Sequence, residues 1–218
     1  MKIYVVVPAY NESRFIGRFL AKLTVVTKNI IVVDDGSRDD TTKIAKQSGA
    51  TVLTHMTNLG KGAALKTGCD YAFAKRAADA VIIMDGDDQH DTADLPMFKK
   101  ALSQGAGVVL GVRLLDRKMP MGRLLGNRLM STLIYLLFGR YIPDIPSGFK
   151  ALTRAAYQKL VWNSSGYEVE SELAVRLARS KIAYTTVSIT THYHGKEYGF
   201  NLLDAFAILI KIPFWIWS

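Results

Sequence analysis

Short, almost unbroken apolar runs recur through the first half of the chain, separated by stretches of helical length. The runs are Ile3–Val7, Ile30–Val33, Thr51–Leu53, Ala80–Met84 and Gly107–Gly111. A strand that is apolar on both faces must be covered on both faces, and parallel strands joined by crossover helices achieve this. The stretches between them, Ser13–Leu23, Asp40–Gln47, Lys61–Ala74 and Asp94–Leu102, read as those helices. The expected fold class is therefore α/β, with a mostly parallel central sheet flanked by helices. With 218 residues the chain can bury a full-sized core without disulfides. Its single cysteine, Cys69, allows no internal disulfide, so a reducing, cytoplasmic setting is expected. The opening Met1–Pro8 reads as a first strand rather than a signal peptide.

Folds of this kind place ligands at the carboxyl ends of their strands, where helix N-termini and free backbone N–H groups converge. The polar loops lie there. Pro8-Ala9-Tyr10-Asn11-Glu12-Ser13 follows the first run, Asp34-Asp35-Gly36-Ser37 the second, and Asp85-Gly86-Asp87-Asp88-Gln89-His90 the fourth. Asp85 and Asp87, at i and i+2 leaving a strand, can direct two carboxylates to one side. A hard divalent cation bridging two phosphates needs that arrangement, so Mg²⁺ or Mn²⁺ is the expected cofactor. An isolated acidic pair of this kind would more often be a solvated turn. Here it follows a buried strand in register with two other polar loops.

The formal charge of +9 and a pI near 9.6 call for anionic partners. Nucleic acid is the weaker candidate, because no zinc finger, aromatic RNP-like strand or helix-turn-helix signature is present. Nucleotide phosphates and an acidic membrane surface remain. Gly122–Phe138 is an apolar helix-like stretch bracketed by Arg123, Arg128 and Arg140, which suits a membrane interface or a buried core equally. The last segment, Asn201–Ser218, is apolar and aromatic but is interrupted by Asp204, Lys211 and Pro213. It falls short of the roughly 20 apolar residues that span a bilayer. The readings are an interfacial anchor with Phe214, Trp215 and Trp217 at headgroup level, the start of a transmembrane segment, or a helix docked on the core; the anchor is favoured. Residues 1–200 are then the main domain and 201–218 the anchor.

Four blocks in order carry a family resemblance: Val6-Val7-Pro8-Ala9-Tyr10-Asn11-Glu12, Val32-Val33-Asp34-Asp35-Gly36-Ser37, Asn58-Leu59-Gly60-Lys61-Gly62-Ala63-Ala64 and Asp85-Gly86-Asp87. Together they resemble family 2 glycosyltransferases of the GT-A fold. The resemblance implies a nucleoside pocket containing Pro8, Tyr10 and Glu12, with Asp34 contacting the base and Asp35 nearby. It also implies a glycine-rich turn carrying Lys61 beside phosphate or sugar, and Gln89 completing the metal shell with Asp85 and Asp87. A carboxylate can accept from a base N–H, and a tyrosine ring offers a stacking face. Glu12 also has a plainer reading, as a helix N-terminal acid capped by Asn11 or Ser13. The spacing of a Walker A loop is absent, which argues against ATPase activity.

Further along, Gly111-Val112-Arg113, Asp144-Ile145-Pro146-Ser147-Gly148-Phe149-Lys150 and Gly166-Tyr167-Glu168 resemble dolichyl-phosphate mannose synthases and related polyprenyl-phosphate sugar transferases. Gly86 and Asp88 depart from that pattern. The resemblance implies Arg113 at the acceptor phosphate with Ser147 and a second arginine, Arg123 or Arg128. It implies a nucleotide-sugar donor, GDP-mannose or UDP-glucose, and an enzyme associated with the cytoplasmic face of a membrane. A polyprenyl or dolichyl phosphate is already anionic near neutral pH and can attack the anomeric carbon without a protein base, in an inverting single displacement. Asp144 is therefore read as orienting a cation, with a base role for another acceptor as the alternative. His192 and His194 read as a polar strand face rather than metal ligands. Three alternatives stand beside this reading: transfer to a sugar hydroxyl, a sugar nucleotidyltransferase, and a silent membrane-binding module. The nucleotidyltransferase lacks its basic Gly-rich loop after the first strand, the intact acids argue against silence, and no Gln-x-x-Arg-Trp segment of a processive synthase is present.

Overall fold

A computed structural model describes residues 1–113, 121–192, 211–212 and 214–215, with the backbone alone for 121–124. Strands β1 (Ile3–Ala9), β2 (Ile30–Asp34), β3 (Thr51–Thr54) and β4 (Ala80–Ile83) run parallel, joined by α1 (Ile16–Val26), α2 (Thr41–Gln47) and α3 (Lys61–Lys75). A 3-10 turn at Thr92–Asp94 and α4 (Leu95–Ser103) lead to β5 (Val108–Arg113), and α5 (Met121–Phe138) follows. Then come β6 (Lys150–Thr153), α6 (Arg154–Leu160), α7 (Val169–Arg179) and β7 (Tyr184–Ile189). The seven strands form one sheet in the order β3-β2-β1-β4-β6-β5-β7. Only β6 is reversed, antiparallel to both β4 and β5, while β7 is parallel to β5.

Alternation along each strand divides the core between the two faces of the sheet. Val5, Val7, Val32, Ile82 and Val109 pack with Phe19 and Leu23 of α1 and with Leu95 and Phe98 of α4. Val6, Val33, Val81, Ile83 and Leu110 pack with Leu65 and Cys69 of α3, Ile134 of α5 and Leu173 of α7. All of these are nearly solvent-free, which is why the strands read as continuous apolar runs instead of alternating ones.

Three elements bear on how the site was read from the sequence. First, α1 begins at Ile16 rather than Ser13, because Phe15 N and Ile16 N both donate to the Glu12 carbonyl and Ser13 N donates to Asp39 Oδ2 (3.1 Å). Neither Asn11 nor Ser13 caps the helix; Asn11 Oδ1 accepts from Arg38 N (2.9 Å). Second, α5 buries one face and exposes another. Met130 and Ile134 are buried in the core, whereas Leu125, Leu129 and Leu136 form an outer stripe, 72%, 54% and 74% exposed. Third, the described part of the last segment docks on the body. Ile212 and Trp215 are buried, Arg179 donates to the Trp215 carbonyl (2.7 Å), and Lys211 pairs with Glu168 (2.8 Å). Trp215, expected at headgroup level, is therefore a core residue, while Phe214 points outward; Trp217 lies outside the described residues. No helix among the described residues is long and apolar enough to cross a membrane.

Candidate active site

Three neighbouring strands, β1, β2 and β4, deliver their loops to one edge of the sheet, and the reversed β6 brings its starting residue, Lys150, to the same edge. Asp85 leaves β4 in the middle of this edge. Its carboxylate meets Lys61 Nζ at 2.8 Å, and Lys61 reaches Glu170 Oε1 on α7 at 2.6 Å. Burial works against a charged lysine here, but the two carboxylates overcome it and hold the Lys61 pKa above the usual lysine value. Burial likewise opposes ionisation of Asp85, and the Lys61 ammonium pulls its pKa below normal in spite of that. Gly148 closes over Asp85 so tightly that a Cβ there would overlap the carboxylate.

Next to this pair lie further carboxylates. Glu12 is pushed up to about 7, first by burial and then by the charges of Asp87 and Asp85. Asp85 and Asp87 thus lie close enough to Glu12 to raise the cost of ionising it. Asp87 Oδ1 accepts from Gln89 N (3.0 Å), which stiffens the turn, and the Gln89 carbonyl accepts from His192 N (2.9 Å). Hard oxygen donors around a negative potential suit Mg²⁺ or Mn²⁺. Among the described residues no three His, Cys, Asp or Glu side chains converge closely enough to hold a metal alone.

His90 supports the loop from below. Its Nδ1 accepts from Asp85 N (3.4 Å), and its ring lies against Phe149, which stacks on Phe98 with centroids 4.0 Å apart. Burial lowers its pKa to about 4, so at neutral pH it is a neutral support.

On the other side of Asp85 lies a cationic patch. Arg113, the last residue of β5, is gripped by Asp144: its backbone N–H donates at 2.7 Å, Nε at 3.0 Å and a terminal guanidinium nitrogen at 2.6 Å. Asn127 of α5 donates to the same carboxylate (3.3 Å) and accepts from Ile145 N (3.1 Å). Asp144 therefore orients an arginine, and its oxygens are committed to that task. Lys150 is buried and donates to the carbonyls of Ile145 and Ser147, holding the 145–147 turn. Burial drags its pKa down to about 8. The Ser147 hydroxyl is buried with no hydrogen-bond partner among the described residues. Arg128 is exposed on α5, and the side chain of Arg123 lies outside the described residues, as does His194.

The nucleoside residues fall into two groups. Pro8 is the last but one residue of β1, Tyr10 is 42% exposed, and Glu12 lies near Asp85 and Asp87. Asp34 and Asp35 are buried and bonded within the protein. Asp34 accepts from Ser37 N (3.1 Å) and from the hydroxyls of Ser37 and Thr42. Asp35 accepts from Leu59 N (2.9 Å), Gly60 N (2.7 Å) and His55 Nδ1 (2.7 Å), tying the Asn58–Gly60 turn to β2. The close approach at Gly60 and Gly62 is likewise internal: Cβ atoms there would strike the carbonyls of Ser165 and Ser164, with Gly60 at φ +98°. These glycines let α3 start against the 164–165 turn and so aim Lys61, rather than opening backbone to a phosphate. Sequence reading also missed Glu170, His90 and Lys150. The signal for Glu170 was present two residues after the quoted Gly-Tyr-Glu, at the start of α7.

Residues 4–161 match the model of the glycosyl transferase family 2 domain. The chain belongs to that family. An uncharacterised protein of Methanocaldococcus jannaschii is 35% identical over 221 residues, spanning 97% of this chain and 90% of the relative. The UDP-N-acetylglucosamine–dolichyl-phosphate N-acetylglucosaminyltransferase of Methanococcus voltae is 29% identical over 96% of this chain and 94% of its own length. The polyprenol monophosphomannose synthase of Mycolicibacterium smegmatis is 26% identical over 97% and 85%. In fold, the chain is similar to glucosyl-3-phosphoglycerate synthase of Mycobacterium tuberculosis, solved with UDP, with a TM-score of 0.73 at 23% identity over 98% of this chain and 79% of that one. The same neighbour has been crystallised with Mn²⁺ and UDP-glucose. This protein is therefore a GT-A-fold glycosyltransferase.

Proposed function

We propose that the enzyme transfers one hexose, with inversion, from a nucleotide-diphosphate sugar to a polyprenyl or dolichyl phosphate at a membrane surface. The observation that carries this reading is the division of the site around Asp85: a carboxylate cluster on one side, and on the other an arginine locked in place by Asp144 beside a buried lysine and the Ser147 hydroxyl. A diphosphate with its cation suits the first side, and a second anion suits the second.

Asp85 and Asp87, with Gln89 beside them, would hold Mg²⁺ or Mn²⁺, which when bound neutralises the leaving diphosphate. Lys61 sits between Asp85 and Glu170, where it can exchange a carboxylate for a donor oxygen without leaving the site. Tyr10 at the rim offers its ring to the base, while Asp34 and Asp35 serve that pocket by fixing the loops around it. Arg113, its guanidinium fixed in place by Asp144, brings a positioned positive charge to the acceptor phosphate. With its carboxylate engaged by that arginine, Asp144 does not serve as a base, and an anionic acceptor needs none. The outer Leu125, Leu129 and Leu136 stripe, with Arg128 exposed on the same helix and Phe214 outward, supports docking at an acidic lipid interface. Relatives named for dolichyl and polyprenyl acceptors support the same acceptor class. GDP-mannose, UDP-glucose and UDP-N-acetylglucosamine are the donors to test.

The test is transfer of radiolabelled sugar from each donor to a short-chain polyprenyl phosphate, with and without EDTA. Product should form with one donor, vanish in EDTA and return with Mn²⁺ or Mg²⁺, and Asp87→Ala should abolish it in a folded protein. Transfer to a sugar hydroxyl but not to the lipid phosphate, or activity indifferent to chelation, would overturn the reading.

A further inference from the structure

The residue after the acidic pair departs from what a metal-loop turn would ordinarily carry. Asp88 adopts φ +60°, a left-handed conformation that glycine occupies without cost, and its side chain is only 1% exposed. A non-glycine residue persists there only if its surroundings over-determine it. They do: Arg18 Nε meets Asp88 Oδ2 at 2.5 Å, and Lys22 Nζ lies 3.0 Å from Oδ1 and 3.2 Å from Oδ2. Arg18 and Lys22 are four residues apart on α1, so they rise from one face of the helix and close on the carboxylate together.

The clamp joins two halves of the site. Helix α1 starts directly after the turn that carries Glu12, whose carbonyl accepts its first N–H groups. On the other side of Asp87, Gly86 rests against the same region, so that a Cβ would come within 3.0 Å of Ile16 and 3.3 Å of the Pro8 carbonyl. Asp87 is thus held between two anchor points on the β1–α1 unit, Gly86 by close packing and Asp88 by charge. Arg18 and Lys22 are about half exposed and both reach the buried Asp88 carboxylate.

We infer that Asp88, Arg18 and Lys22 form a positioning clamp that fixes Asp87 relative to Glu12 and thereby sets the affinity of the site for its divalent cation. This rests on the metal reading above. Its alternative is that the three residues act only through their charge, and the two predict opposite signs for one change. By charge alone, removing the negative Asp88 weakens cation binding, but removing the positive Arg18 and Lys22 strengthens it. Under positioning, both weaken it.

The probe is Mn²⁺ alone, its free fraction followed by electron paramagnetic resonance, with thermal unfolding of each variant recorded beside it. Asp88→Gly keeps the left-handed backbone without strain, so it folds even if the clamped carboxylate was needed elsewhere. Asp88→Gly and the double variant Arg18→Gln/Lys22→Gln should each weaken Mn²⁺ binding about tenfold, the combination of all three changes should be no worse than Asp88→Gly, and Arg18→Lys should recover part of the loss. Unchanged or tighter binding in Arg18→Gln/Lys22→Gln, with Asp87→Ala still abolishing it, overturns the clamp and leaves the metal site standing. Wild-type protein that binds no Mn²⁺, or binds it equally well as Asp87→Ala, overturns both.

Discussion

Replacing Asp144 with asparagine tests the cationic half of the site with little change of shape. Asp144 sits at φ +44°, a conformation asparagine tolerates as well as aspartate, so the backbone stays in place. What changes is the grip on Arg113. The carboxylate accepts from the Arg113 backbone, from two of its guanidinium nitrogens and from Asn127, and the two side chains of the pair are 5% and 16% exposed. Charge-assisted bonds contribute about 1.5–3 kcal/mol, and breaking one partner of a buried pair costs about 3–5 kcal/mol. The asparagine keeps one accepting oxygen, so a loss of about 2–3 kcal/mol is expected, lowering Tm by roughly 4–12 °C in a domain of this size. The freed arginine should raise the acceptor KM about tenfold while the Kd for GDP or UDP with metal stays unchanged. Initial rates against short-chain polyprenyl phosphate and calorimetric titration of the nucleotide measure the two. If Tm and acceptor dependence are both unaltered, the orienting role is refuted; if nucleotide affinity falls in step, Arg113 belongs to the donor side.

Two further outcomes are expected. Glu12 has its pKa raised from about 4.5 to about 7 by the fold, so its proton is bound more tightly in the native state and stability falls as pH rises between those values. After allowance for solvent screening the loss is on the order of 1–2 kcal/mol; Tm at pH 5 and pH 8 should show it, Glu12→Gln should flatten it, and Mn²⁺ should restore more stability at pH 8 than at pH 5. An identical slope in Glu12→Gln removes the acidic cluster as its cause. Leu129→Glu with Leu136→Glu changes only exposed positions, so stability should move by less than about 0.5 kcal/mol each; co-sedimentation with anionic vesicles should fall several-fold, and wild-type protein that fails to sediment at all removes the interface.

Strands β1, β2, β4 and β5 were legible because burial on both faces leaves an uninterrupted apolar signature, as in Val5-Val6-Val7 and Ile30–Val33, whereas the partly buried edge strand β3 shows only the short Val52-Leu53 pair between two helical stretches. The helix α5 was legible too, but β6, α6, α7 and β7 were not. β6 is four residues, Lys150–Thr153, and begins with a buried lysine that no apolar pattern admits. β7 is an edge strand whose Thr185, Thr186 and Ser188 face solvent, so Tyr184–Ile189 has no apolar run to find. Local motifs located Asp85, Asp87 and Arg113, yet their partners lie far off in the chain: Lys61 with Glu170, Arg113 with Asp144, Asp88 with Arg18. Such pairings depend on which strand lies beside which, and one sequence holds no local record of that. The same gap explains Gly60 and Gly62, whose need for small size comes from residues a hundred positions later.

The reversal of β6 has a consequence for how such an enzyme can change its acceptor over evolution. Everything between β5 and β6, residues 114–149, leaves the sheet on one strand and returns on its immediate neighbour, with Gly111 N bonded to the Phe149 carbonyl at 2.8 Å. The two ends of this cassette are therefore stapled side by side, one strand spacing of about 4.8 Å apart. Its length and content can vary, as a loop inserted at a fixed mouth can, without disturbing the three parallel strands that carry the acidic loops. Meanwhile Lys150 pairs with Ile83 two residues before Asp85, so whatever the cassette becomes, its exit remains registered against the donor strand. A chimera that exchanges 114–149 for the matching stretch of a relative should keep its donor and change its acceptor.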